Sequence, residues 1–260
     1  MFDFLKKHRF FIISLVAVII ILAVWEVAAL IIALPIVLPT FSSVFIALLN
    51  LFASGETYLT ILFTLIRCLI GYLIAFILGV IIGISAGRVK EFAAFMAPIV
   101  TVMKSVPVVA VTLIISVWIS SYVLPVIVGF ILVFPVIYTQ IKTATENIDP
   151  TLIDVMKDMG GGFCKDFFRI YVPMILPYGL AGISATFGMN VKAVISAELL
   201  AYAKGSIGYA IYYAKADFLN EMPALFAWAA IAILLSAIFE IVLKIIFDKV
   251  CKRFSCALVN

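Results

Sequence analysis

Charge is scarce in this 260-residue chain: 12% of its residues are Asp, Glu, Lys or Arg and 66% are hydrophobic, where a soluble domain carries about 25% charged residues. That shortage excludes a water-exposed surface over most of the length. Histidine is scarcer still, represented by His8 alone, so no histidine-based catalytic set and no H-E-x-x-H metal site can be assembled. The four cysteines, Cys68, Cys164, Cys251 and Cys256, include no C-x-x-C pair and are expected as free thiols, not as a disulfide frame or a metal site. No G-x-x-x-x-G-K-S/T run occurs, so the chain lacks a phosphate-cradling loop of its own.

What is abundant is uninterrupted apolar sequence. The bilayer core offers no water to satisfy backbone groups, so spans must be helices or a closed barrel. A barrel would show alternating segments of roughly ten residues, whereas Phe10 to Leu34 is almost unbroken. The expected fold is therefore all-α, with six transmembrane helices at 10–34, 59–86, 92–119, 122–141, 173–200 and 224–247. A run of about 25 residues makes roughly 38 Å of helix, enough to cross a hydrocarbon core of about 30 Å with some tilt. Only Ser120 and Ser121 separate the third span from the fourth; were those two spans a single re-entrant feature, the topology would change.

Lys and Arg in the loops set the orientation. Thirteen fall on one side (Lys6, Lys7, Arg9, Arg88, Lys90, Lys142, Lys157, Lys165, Arg169, Lys244, Lys249, Lys252, Arg253) and two, Lys204 and Lys215, on the other. Both termini are thus expected in the cytoplasm of a multi-pass membrane protein. This bias accounts for the net charge of +4 without nucleic acid. The first span follows Lys6-Lys7-His8-Arg9, but it is too long for a secretory signal and has no small-residue cleavage pattern, so it reads as an anchor. On the outer side, Pro35 to Tyr58 reads as a turn and a short surface helix. The aromatic second outer loop, Tyr202 to Met222, reads as an interfacial belt or, less simply, as a docking surface.

One stretch departs from this background. From Thr143 to Arg169 the chain turns polar, with Glu146, Asp149, Asp154, Lys157, Asp158, Lys165, Asp166 and Arg169. Asp149-Pro150 can start a helix, because the carboxylate accepts from free amides and proline suits the first helical position. Leu152, Met156, Met159 and Phe163 recur at spacings of four, three and four, which places them on one face. Gly160-Gly161-Gly162 then interrupts the helix, at roughly 1 kcal/mol per glycine relative to alanine. An amphipathic hairpin resting on lipid would carry a Lys/Arg-rich face. Here four positive charges meet five negative ones between Lys142 and Arg169, which favours a protein partner.

The same residues resemble a known family. Asp154-Val155-Met156, Gly160 and, nine residues on, Ile170-Tyr171-Val172-Pro173 are similar to the cytoplasmic signature E-A-A-x-x-x-G-x(9)-I-x-L-P of bacterial ABC importer permeases, with Asp for Glu, Val and Met for two alanines, and Val for Leu. Leu38-Pro39-Thr40-Phe41-Ser42-Ser43-Val44 resembles the outer L-P-S-P-x-x-V element of the nitrate/sulfonate/taurine branch, and Arg67 to Gly83 its R-x-x-x-G-x-x-x-A-x-x-x-G helix. Lys104-Ser105-Val106-Pro107 to Ala110 is similar to R-x-I-P-x-x-A, and Ala197-Glu198-Leu199-Leu200 with Gly205 to Tyr209 to A-E-M-L and G-L-G-Y. The resemblance covers residues 38 to 220. It implies a type I importer permease with a cytoplasmic coupling helix, no cofactor or metal on this chain, and ATP on a separate ATPase subunit. It also implies an extracytoplasmic solute-binding protein and a homodimer around a two-fold axis. Leu152, Asp154, Met156, Met159, Gly160, Ile170 and Pro173 would contact the ATPase, the helix seating in a groove. The implied solute is a sulfonate-, nitrate- or taurine-like anion or a vitamin precursor.

Four charges, Arg67, Lys104, Lys192 and Glu198, fall within apolar spans, where each costs about 2.5–3.5 kcal/mol at the bilayer centre on insertion scales. They either line a path for an anionic solute or form helix-to-helix pairs, with Glu198 or Glu26 as acidic partners. Lys192 stands where the resemblance leads one to expect tryptophan or another neutral residue. Gly79-x-x-x-Gly83-x-x-x-Gly87 predicts close backbone packing, and Pro98 and Pro107 predict bends in the third span. The expected domains are an N-terminal helix and outer segment (1–58), a permease core (59–247) containing the coupling segment 149–172, and a cytoplasmic tail (248–260). The competing reading is an ion-coupled secondary transporter, which needs intramembrane carboxylates; Glu26, Glu198 and Glu240 all lie toward span ends.

Overall fold

The computed structural model describes the backbone of residues 2–149, 151 and 171–258. Leu152, Asp154, Met156, Met159, Gly160 and Ile170, with the glycine turn and most of the polar stretch, lie outside the described residues. Those described form nine α-helices and no strand: α1 (Phe2–Ile32), α2 (Phe41–Ala53), α3 (Gly55–Arg88), α4 (Lys90–Ser105), α5 (Val108–Ile115), α6 (Leu124–Glu146), α7 (Val172–Leu200), α8 (Ile207–Ala216) and α9 (Phe218–Leu258). Five of them are long and apolar enough to cross a membrane, and the bent pair α4–α5 makes a sixth candidate. The chain divides into two compact units, Met1–Leu59 with Ala210–Ile231 and Thr60–Tyr209 with Ala232–Asn260.

In the first unit, α1 ends where Ala33 adopts a positive φ of 51° just before Pro35. The chain reverses into α2, whose start is capped by the Thr40 hydroxyl accepting from the Ser43 amide at 3.2 Å. The reversal is fixed by bonds back to α1, among them the Ser42 amide to Glu26 Oε2 at 3.4 Å. Trp25 Nε1 donates to the Pro39 carbonyl (3.0 Å) and Ser42 Oγ donates to Glu26 Oε1 (2.8 Å). Glu26, offered above as a partner for a buried cation, is thereby engaged within its own hairpin. The Trp25 ring also packs against Phe41 and Phe226. The expected turn and short helix are these residues.

In the second unit, α6 is the axis. Its buried face (Leu124, Val128) meets Ala193 and Ala197 of α7, with Val108, Ile115, Ile119 and Leu132 packed around them. The register follows from glycines. A Cβ on Gly71 would meet the Val126 carbonyl oxygen at 2.5 Å, and one on Gly79, Gly83 or Gly87 would meet Ile137, Ile141 or Thr145 at 2.8, 2.9 or 2.5 Å. Both residue numbers rise together, so α3 and α6 run parallel. Gly129 faces Asn190 and Gly182 faces Ile137, so α7 runs antiparallel to α6. Small residues let these backbones approach, which is how helices associate where lipid supplies no hydrophobic drive.

The third span departs from expectation. It is not one helix over 92–119; α4 and α5 meet at 96°. Val106 is extended (φ −77°, ψ 127°), because the ring of Pro107 excludes the preceding residue from the helical region. Pro98, from which a bend was also expected, sits inside a continuous α4. The parallel register of α3 and α6 decides what the bent pair does. Between Arg88 and Tyr122, which lies 5.7 Å from the Arg67 guanidinium, the chain must climb back along some 21 residues of α3, about 31 Å. That is the thickness of a hydrocarbon core, so α4 and α5 form one broken crossing and not a re-entrant hairpin.

Other differences are at the ends. Ile207–Ala216, read only as an aromatic loop, is helix α8, and α9, whose membrane-length portion Leu219–Ile246 agrees with the expected span 224–247, runs on as helix to Leu258. Asp149 accepts from the Thr151 hydroxyl at 2.6 Å and its amide at 2.8 Å, and these bonds hold its carboxyl below the usual carboxylate range. Replacing Gly71 or Gly87 by alanine is expected to destabilise the fold by about 1–3 kcal/mol through overpacking. Gly55→Ala, which meets nothing within 4 Å, is expected to be neutral. Thermal unfolding in detergent checks this, and equal melting temperatures for Gly71→Ala and Gly55→Ala would refute the glycine-seam register.

Candidate functional site

Two of the four intramembrane charges come together. Arg67 Nη1 donates to Glu198 Oε1 at 2.9 Å, with the glutamate side chain fully buried and the arginine 11% exposed. The carboxylate is further held by the Thr64 hydroxyl at 3.0 Å and the Gly208 amide at 3.4 Å. Thr64 in turn accepts from the Ile207 amide at 3.0 Å. Gly208 is glycine for want of space: a Cβ would lie 2.5 Å from the Glu198 Cβ. The knot therefore ties α3, the end of α7 and the start of α8. The Arg67 guanidinium also lies over the Tyr122 ring, reaching the segment before α6.

This knot is the top of a ladder. One turn on, Asn190 Nδ2 donates to the Cys68 carbonyl (3.2 Å), and another turn on, the Tyr72 and Thr186 hydroxyls share a bond of 3.0 Å. Residues 64, 68 and 72 are spaced by four, one face of a helix, so α3 and α7 are antiparallel and laced by polar contacts where water is excluded. The Thr186 hydroxyl donates to the Gly182 carbonyl at 2.7 Å. Thr64, Tyr72, Thr186 and Asn190 escaped the sequence reading, which weighed charged residues only. Polar residues at spacing four inside an apolar run were the available signal.

Lys104 and Lys192 are not part of the ladder. Lys104 ends α4 at the elbow, where its Nζ donates to Thr139 Oγ1 on α6 at 2.8 Å; Thr139 donates onward to the Pro135 carbonyl at 2.6 Å. Beside it is a cavity of about 210 Å³ bounded by α4, α5, α6 and Met189 of α7. Lys192 lies on the exposed stripe of α7 that includes Met189 and Ser196. Among the described residues neither ammonium has an ion-pair partner; the ion pairs there are Arg67–Glu198 and Lys142–Glu146. Pro173, the one ATPase-facing candidate among the described residues, occupies the first turn of α7. No group of three or more metal-ligating side chains occurs among the described residues.

Comparison with known proteins agrees with this architecture. Residues 75–252 match the family described as binding-protein-dependent transport system inner membrane component, and the chain belongs to that family. A solved structure of the MetNI methionine ABC transporter, in inward-facing conformations, is similar over 74% of this chain and 93% of that one, with a TM-score of 0.53 and 16% identity; this likeness concerns the fold. No protein of curated function matches. The chain is therefore a permease component of a binding-protein-dependent ABC importer, a multi-pass protein of the inner-membrane type, from a family that works with an ATPase and a binding protein.

Breaking one side of the buried pair, by Arg67→Met or Glu198→Leu, is expected to cost about 3–5 kcal/mol, because an uncompensated charge remains. The double replacement should recover most of that loss. A double-mutant cycle on detergent-solubilised protein measures it, and additive losses would show that the two side chains do not act together.

Proposed function

We propose that two copies of this chain form the membrane pathway of an importer for a small anion or vitamin precursor of the sulfonate, nitrate or taurine type, with both termini in the cytoplasm. The observation that carries the anionic preference is the division of labour among the charges within the apolar spans. Arg67 is neutralised by Glu198, whereas Lys104 and Lys192 keep exposed ammonium groups with no carboxylate beside them among the described residues. A lysine left uncompensated within a membrane span is costly. It is retained where it meets water or a solute of opposite charge.

Work reaches this pathway from outside the chain. Residues 149–172 act as the coupling segment: Leu152, Met156 and Met159 seat in a groove of the ATPase, Asp154 makes a charged contact at its rim, Gly160 permits the turn, and Ile170 and Pro173 lead the chain into α7. ATP is bound and hydrolysed on the partner subunit, and this chain performs no chemistry of its own. The solute arrives on the extracytoplasmic binding protein, for which the outer loop between α7 and α9 is the docking face. The positive charge of the inner loops supports this orientation.

Asp154→Lys and Gly160→Trp are expected to abolish stimulation of ATP hydrolysis by the loaded binding protein, in a reconstituted permease–ATPase complex, while membrane insertion is unchanged. Full stimulation in both variants would remove the coupling role from this segment.

A further inference from the structure

We propose that the cavity beneath the α4–α5 elbow is a binding subsite for a small organic anion with one negative charge and an apolar body, anchored by Lys104. The inference rests on the reading of this chain as a solute permease and narrows its solute class.

Three features carry it. The first is composition: Lys104 is the one charged residue on the wall, and Met103, Val108, Leu132, Pro135 and Met189 are representative of the rest. A solute without an apolar portion would leave that wall unmatched, and a cavity of about 210 Å³ holds far more than a single water. The second is hydrogen-bond accounting. An ammonium has three donors, and Thr139 accepts one of them. The Thr139 proton is committed to the Pro135 carbonyl, so the threonine orients the ammonium without neutralising it. Among the described residues no acidic side chain lines the cavity. The third is charge balance. One ammonium matches one negative charge. A dianion would keep an unpaired charge against apolar walls, and the ammonium of a cationic or zwitterionic solute would have no carboxylate to meet; both are costly away from water.

The experiment uses the full permease–ATPase complex in nanodiscs, without binding protein, with butane-1-sulfonate as probe in titration calorimetry. Saturable binding is expected for the unmodified complex. Lys104→Met should weaken it about tenfold or more, the loss of a charge-assisted hydrogen bond, and Lys104→Arg should retain it. Met189→Trp, which fills the cavity and leaves the charge in place, should also abolish it; this keeps the test decisive if Lys104→Met does not assemble. Inorganic sulfate and butylammonium should not compete. Equal affinity in Lys104→Met, competition by sulfate, or absence of saturable binding in the unmodified complex, as a second copy seated in the cavity would produce, each overturns the subsite. Stimulation of ATP hydrolysis by the loaded binding protein reports the permease reading separately: stimulation without butane-1-sulfonate binding removes the subsite alone, and loss of stimulation in the unmodified complex removes the broader reading.

Discussion

The cost of placing a carboxylate where no water can reach it governs the second unit. Glu198 is fully buried, and every donor around it comes from outside α7: the guanidinium and hydroxyl from α3, the amide from the start of α8. A buried charge must be paired and hydrogen-bonded, so these parts cannot separate without stranding it. The three rungs at Thr64, Cys68 and Tyr72 extend the same constraint along the α3–α7 interface. Hydrocarbon gives helices little reason to prefer one rotation over another, and directional bonds of this kind select one.

The contact of α3 with α6 works by removal. It is made through glycines against Ile137, Ile141, Thr145 and the Val126 carbonyl. The one buried stripe of α3 is thus specific toward α7 by hydrogen bonding and toward α6 by the absence of side chains. The parallel course of α3 and α6 that results obliges the intervening residues to cross back, and the helix-breaking pair Val106–Pro107 is placed within that crossing. Lys104 sits on the last turn before the break. The elbow and the cavity beneath it have the same cause, since a straight helix would have packed against α6 over its full length.

The sequence revealed much of this, unevenly. Apolar runs identified the spans because lipid imposes a length on them, and Gly79-x-x-x-Gly83-x-x-x-Gly87 marked a packing face because only small residues allow such approach. Charge inside apolar runs and a family resemblance at Lys104 and Glu198 singled out Arg67 and Glu198, which the structure places at the top of the ladder, and Lys104, which it places beside the cavity. What could not be read was partnership. Nothing local to Arg67 says that its carboxylate is 131 positions away, and nothing local to Pro98 and Pro107 says which of them breaks the helix. Pro107 does so, with Val106 and Pro107 itself extended and Val108 already helical. Helix α8 was missed because a short run with Tyr209, Tyr212 and Tyr213 has no strong periodicity and takes its place from the Glu198 knot at its first turn.

The glycine seam has a mechanical corollary. Side-chain interfaces can slide by swapping rotamers, one ridge clicking into the next groove. A joint in which bare main chain rests on a neighbour's carbonyl or β-carbon has no such ratchet, and the two rods it unites translate together as a plank. Any opening and closing of this unit has to be hinged elsewhere, at the surfaces that still carry movable side chains.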